Sequence, residues 1–128
     1  MNKKLVVVAF VIIVIAGLFI FWSRRPEKYE GILPCADCAG LKTELALNRD
    51  NTYSLKETYL ATRDGDKAFS STGRWRRIMD GKREILQLSY DKPQSLYNFF
   101  QKDADHLVVI DRKMHDIDSP MNLTLTRK

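Results

Sequence analysis

Hydrophobic and polar positions divide the chain into two stretches of different rhythm. Residues 5–22 run for 18 positions without a charged or polar side chain, and only Gly17 interrupts their apolar character. At about 1.5 Å per residue, a helix of that length is roughly 27 Å long, close to the thickness of a bilayer core. Trp22 stands where an interfacial aromatic belongs. From Leu41 onward the pattern alternates with period two, the mark of half-buried strands. Leu41, Thr43, Leu45 and Leu47 share one face, with Lys42 and Glu44 on the other. After the turn signal Asn48-Arg49-Asp50-Asn51, a second strand alternates through Tyr53, Leu55, Glu57 and Tyr59. Asp64-Gly65-Asp66 turns the chain into a third strand with Phe69, Ser71, Gly73 and Trp75 on one side. Gly73 within that strand points to a bulge or a close backbone approach. Asp80-Gly81 is a hairpin signal. Leu86, Leu88 and Tyr90 carry a fourth strand, residues 96–100 a fifth, 107–110 a short sixth, and Leu123 with Leu125 a last one. Six or seven short strands at regular spacing, with no comparable helical stripe, predict an antiparallel sandwich or small barrel. The polar segment 23–29, with Pro26, reads as a linker from membrane to domain.

The charge follows the same division. The formal net charge is +5, but residues 1–25 hold Lys3, Lys4, Arg24 and Arg25 and no acid, so the remaining residues carry 17 basic and 16 acidic side chains. A body so near neutrality lacks the electrostatic footprint of a nucleic-acid binder. Its length suits one domain. The expected organisation is an N-terminal membrane anchor over 1–25 and one β domain over 26–128. A cleaved signal peptide would need a small residue three places before the cut. Ile15 and Phe21 occupy those places for cuts after Gly17 and Ser23, so an uncleaved anchor is the expectation. Lys3, Lys4 and the terminal amine on one side balance Arg24, Arg25 and Lys28 on the other, so the positive-inside rule gives no orientation. The short N-terminal tail resembles an export signal and places the body outside.

Candidate chemistry centres on Cys35-Ala36-Asp37-Cys38, between Pro34 and Gly40. Such a pair can be half a zinc site, a redox site, a soft-metal site or a local disulfide. A tetrahedral zinc site needs four ligands, and the sequence holds no second Cys pair. A thioredoxin-type site needs a helix after the motif, whereas alternating residues follow here. In an exported body a disulfide would pin the loop ahead of the first strand, with a chain-entropy contribution of only about 2 kcal/mol for so short a loop. A metal reading requires reduced cysteines and more soft or nitrogen ligands. Thiolate and thioether suit Cu(I), which makes the adjacent Met114 and His115, with Met79, Met121 and His106 behind them, the candidates. Lone Met and His residues usually serve packing and surface. Arg74-Trp75-Arg76-Arg77 splits across two strand faces and reads as a solvated face. No Ser/His/Asp arrangement stands out, and no catalytic residue is expected. A carrier of a small apolar ligand is the alternative, with a cavity lined by Tyr53, Tyr59, Trp75, Tyr97 or Phe99.

The segment Tyr29-Glu30-Gly31-Ile32-Leu33-Pro34-Cys35-Ala36-Asp37-Cys38-Ala39-Gly40-Leu41 resembles the opening of the N-terminal domain of the NlpE family. Matches continue in register at Asp50-Asn51-Thr52-Tyr53, at Phe69 with Gly73 and Trp75, at 107–111, and at Met121-Asn122-Leu123-Thr124-Leu125. The resemblance covers nearly all of the body. It implies a small antiparallel β-barrel likened to lipocalins. It implies a non-enzymatic role in the Gram-negative envelope, where the family activates the Cpx stress pathway on surface adhesion, copper exposure or failed lipoprotein trafficking. An envelope stress sensor protein is then the expected partner and copper a possible ligand. Cys35 and Cys38 match the family's C-x-x-C, proposed as a metal-binding or redox-sensitive element. Two departures stand out. No Cys precedes Cys35 to serve as a lipobox, so the anchor is expected to be the apolar helix itself, single-pass in the inner membrane with the body in the periplasm. The sequence also holds no counterpart of the second, OB-like domain of longer members, and functions resting on that domain are not carried over.

Overall fold

The structure, a computed structural model, describes residues 2–23, 25–93 and 97–128, without the side chains of 21–23. The expected interfacial side chain of Trp22, the flanking charge of Arg24 and the start of the fifth strand at Leu96 lie outside the described residues. Helix α1 (Lys3–Ser23) precedes eight strands: β1 (Glu27–Leu33), β2 (Gly40–Leu47), β3 (Thr52–Thr62), β4 (Gly65–Asp80), β5 (Arg83–Leu88), β6 (Tyr97–Asp103), β7 (His106–Ile110) and β8 (Thr124–Arg127). α1 is long and apolar enough to cross a membrane, and its side chains from Lys3 to Ile20 are all exposed.

The strands form a closed barrel in which each pairs with its sequence neighbours, antiparallel throughout, and β8 returns to β1. The seam is short: Tyr29 faces Arg127 and Glu30 faces Thr126. Closure follows from the alternation. A small barrel needs every inward position filled by a side chain, and it removes the sheet edges that would otherwise pair with other chains. Leu41, Thr43, Leu45 and Leu47 all point inward, as their period of two requires. They pack with Tyr29, Tyr53, Leu55, Leu86, Leu88, Phe99, Leu107 and Leu125. Thr43 satisfies its hydroxyl on the Leu41 carbonyl oxygen at 3.2 Å. At one end Arg77, on the inward side of β4, bonds Glu27 at 2.8 Å and Glu84 at 3.3 Å. Arg74 and Arg76 stay outside in solvent, so the basic run does divide between two faces.

Two expectations change. The linker expected over 23–29 ends early, because Glu27, Lys28 and Tyr29 begin β1. Tyr29, 2 % exposed, sits in the core, and backbone pairing from Glu27↔Leu47 onward holds this polar segment extended. The fourth strand is also not half-exposed: Ile85 and Leu86 are both fully buried. Ile85 alternates with the inward Leu86 and stands opposite Ile78 and Phe100, on the face toward which the long β7–β8 connection folds back to reach Arg83. Asp116 from that connection bridges to Ile110 and binds Arg83 at 2.6 Å. Asn98 donates to the Asp111 carbonyl oxygen at 3.3 Å.

β4 shows what Gly73 does. The strand pairs with β3 as far as Arg74 and with β5 from Trp75 onward, so it turns a corner between two neighbours. Tyr53, paired with Gly73, passes under β4 to share a 2.6 Å hydrogen bond with Ser89. A methyl group at Gly73 would stand 2.8 Å from Ser89 Oγ and 2.9 Å from Tyr53 Cε1. Gly73→Ala is therefore expected to cost about 1–3 kcal/mol through overpacking. Urea unfolding checks this, and an unchanged midpoint would show that Tyr53 moves aside freely.

Candidate functional site

The loop from β1 to β2 carries the two cysteines. Gly40 opens β2 where a side chain could not fit, since a Cβ there would meet Ile32 Cγ2 at 2.6 Å. Register sets Gly40 opposite Leu60, and Ala39 donates its N–H to the Leu60 carbonyl oxygen at 2.9 Å. The loop is thereby tied to β3. Cys35 and Cys38 are joined as a disulfide with Cα atoms 5.4 Å apart, and Cys35 packs against the core. Cys38 Sγ lies 3.2 Å from the Gly40 carbonyl oxygen. Being bonded to Cys35 it has no proton to donate, so this is a packing contact.

The β3–β4 hairpin forms the opposite wall. A register shift between Tyr59 and Thr62, with Ala61 in the left-handed region at φ 50°, lifts the hairpin tip over the barrel rim. Asp66 holds the Ala61 N–H at 2.7 Å. Between the walls lies an open groove of about 600 Å³. The disulfide and Asp37 face it from one side; Tyr59, Arg63, Lys67 and Phe69 face it from the other. Phe69, 60 % exposed, meets Tyr59 edge to face at 5.6 Å. Asp64 also lines the groove and pairs with Lys67 at 3.5 Å, and an exposed aromatic beside two basic and two acidic residues can recognise a peptide or another mixed polar and apolar surface.

Behind the groove, Tyr97 donates its hydroxyl to Glu57 at 2.9 Å. Burial and then the Glu57 carboxylate push the Tyr97 pKa well above the usual tyrosine value. This shift has a consequence for stability. Below about pH 10 both folded and unfolded chains keep the proton; above it the unfolded chain ionises first, so stability falls as pH rises. Tyr97→Phe is expected to shrink the loss of thermal midpoint between about pH 9 and pH 11. An alkaline slope identical to the parent's would show that Tyr97 titrates normally.

The structure brings the two cysteines together but not the other metal candidates. Met114 and His115 lie in the turn after β7, where Asp111 accepts from the His115 N–H at 2.8 Å, and neither lines the groove. His106 faces Asp103 at 2.8 Å beyond the other end of the barrel. Among the described residues no group of three or more His, Cys, Asp or Glu could hold a metal ion. With both sulfurs bonded to each other, the donor set does not fit a copper ion in this redox state. The residues expected to line a carrier cavity are core instead: Tyr53 and Phe99 are buried, and Tyr59, Trp75 and Tyr97 pack against them. The hairpin wall had no signal in the sequence beyond the turn at Asp64-Gly65-Asp66. Only the pairing of β2 with β3 shows that Arg63, Lys67 and Phe69 stand beside the cysteine loop.

Comparison with known proteins gives one consistent result. The family model of the NlpE N-terminal domain matches residues 29–120. Lipoprotein NlpE of Escherichia coli (strain K12) is 37% identical over 100 residues, which are 78% of this chain and 40% of that protein. The chain therefore spans well under two thirds of the length of the curated relative it matches. The crystal structure of the Cpx pathway activator NlpE from Escherichia coli superposes with a TM-score of 0.58 and 32% identity, covering 77% of this chain and 48% of that one. That of a putative lipoprotein from Shewanella oneidensis gives a TM-score of 0.60 and 27% identity over 80% of this chain and 88% of that one.

Proposed function

The chain belongs to the NlpE N-terminal domain family, and on that premise we propose that its barrel is a non-enzymatic, membrane-anchored element of envelope stress sensing in a Gram-negative cell. The observation that carries the reading is the disulfide-pinned loop in the wall of an open groove, at the rim far from the helix junction. β1 leaves the α1 side and runs to Leu33 before the cysteine loop begins, so the groove faces away from the anchor. The Escherichia coli relative is described as a Cpx pathway activator. By this reading residues 1–25 hold the chain in the inner membrane as a single pass. Residues 26–128 stand in the periplasm, an oxidising compartment in which a Cys35–Cys38 bridge persists. The groove is the surface offered to an envelope stress sensor protein. A carrier role has less support, because the side chains that would line a cavity fill the interior instead.

The test is an envelope-stress transcriptional reporter in cells expressing the full chain. Reporter output is expected to rise several-fold, and to fall when Phe69→Ser and Arg63→Glu alter the groove. A chain that reaches the membrane yet leaves the reporter at baseline overturns the proposal.

Copper tolerance enters the same proposal through the redox state of the pair. Oxidised, Cys35 and Cys38 offer no thiolate; reduced, they offer two, of the soft kind Cu(I) prefers. Titration of the reduced full chain with Cu(I) is expected to show tight binding that disappears on Cys35→Ser with Cys38→Ser and in the oxidised protein. Equal binding by the oxidised protein or the double variant would sink the copper reading.

A further inference from the structure

The other end of the barrel is built differently. A cleft of about 590 Å³ opens between the start of β1, the β2–β3 turn and the end of β8. Five basic residues line it: Arg25, Lys28, Arg49, Arg127 and Lys128. All five are exposed. They come from three separate places in the sequence, and the fold collects them. Lys128 donates its N–H to the Lys28 carbonyl oxygen at 2.9 Å, which brings the end of β8 against β1. Trp75 donates its indole N–H to the Asn48 carbonyl oxygen at 2.9 Å and its backbone N–H to Asn51 at 2.9 Å, which fixes the turn that presents Arg49.

Two acids close by do not line the cleft: Asp105, whose carbonyl oxygen accepts the Arg127 N–H at 2.7 Å, and Glu44, near Lys128; two others are engaged. Glu27, the one acid lining the cleft, bonds Arg77 at 2.8 Å, and Asp50 accepts from the Thr52 N–H at 3.1 Å and its hydroxyl at 2.5 Å. Lys128 spends its charge on Glu30. Among the described residues Lys28, Arg49 and Arg127 make no ion pair. The cleft is therefore a net cationic site inside a nearly neutral body.

Its position indicates what the charge faces. α1 ends at Ser23 and β1 starts at Glu27. Four residue steps of extended chain reach at most about 14 Å, so this end of the barrel cannot leave the neighbourhood of the helix end. We propose that the cleft docks on the phosphate headgroups of anionic phospholipids in the membrane that holds α1. Arginine forks match phosphate oxygens in pairs, and basic side chains held at an anionic surface each strengthen binding about fivefold. Docking this end would hold the barrel upright on the bilayer and point the disulfide groove away from it. The inference rests on the reading of α1 as an anchor.

Amide hydrogen exchange of the full chain in nanodiscs tests it. Discs of phosphatidylcholine alone are compared with discs containing phosphatidylglycerol. With the anionic lipid, exchange in the 48–51 turn and at 126–128 is expected to slow by about fivefold or more. Added salt should erase the difference, because screening shortens the reach of the headgroup charge. Arg49→Glu with Arg127→Glu should abolish it, while Lys113→Glu on the far β7–β8 connection leaves it intact. Both altered arginines are exposed, and an unchanged thermal midpoint verifies that the variant folds. Equal exchange in both lipids overturns the docking and leaves the anchor standing. Failure of the chain to enter either disc overturns the anchor and the docking together.

Discussion

Everything in this molecule depends on the closure of eight short strands into a barrel only wide enough for its own side chains. Closure satisfies the backbone of every strand from a neighbour and removes both sheet edges. Its seam is narrow, with two residue pairs between β1 and β8, so the interior must hold the ring together. Tyr29 on β1 and Leu125 on β8 do this by packing into one core on either side of the seam. The Tyr53–Ser89 hydrogen bond passes beneath β4 to join the strands on either side of it, and Gly73 leaves it room.

A filled interior has a functional consequence. Among the described residues Tyr53, Phe99 and their neighbours occupy the interior, and the grooves that remain lie at the two rims. The rims differ in chemistry. One combines a disulfide, an exposed aromatic and charges of both signs in a groove. The other gathers basic residues at the point where the helix departs. A body with nearly balanced charge thus has two chemically distinct ends. The overall figure of +5 describes neither of them.

The legible parts of the sequence were those where one physical rule acts alone. Alternation through Leu41, Thr43, Leu45 and Leu47 has a single meaning, and the residues are buried as it requires. The turns at Asn48-Arg49-Asp50-Asn51 and Asp80-Gly81 fall where Asn, Asp and Gly favour them. β1 was hidden because Lys28 and Glu30 are polar on the outer face, Glu27 is charged at the inward end, and Pro26 precedes them; only pairing with β2 makes the segment a strand. Ile85 was hidden for a related reason. It is buried opposite Ile78 and Phe100 of the neighbouring strands, on the face where Arg83 binds Asp116, some 30 residues further along the chain.

The sequence by itself determined the apolar helix, the alternating body and the spacing of the two cysteines, because each is a local property of neighbouring residues. It also carried the family resemblance in the motif around Cys35 and Cys38. What only the tertiary structure decided is which distant residues share a surface. Register of β3 with β2 on one side and β4 on the other puts Phe69 and Lys67 beside the disulfide. Closure of β8 on β1 puts Arg127 beside Lys28 and Arg49. Neither neighbourhood has a local signature, since strand pairing is a long-range choice, settled by which closed arrangement buries the inward side chains.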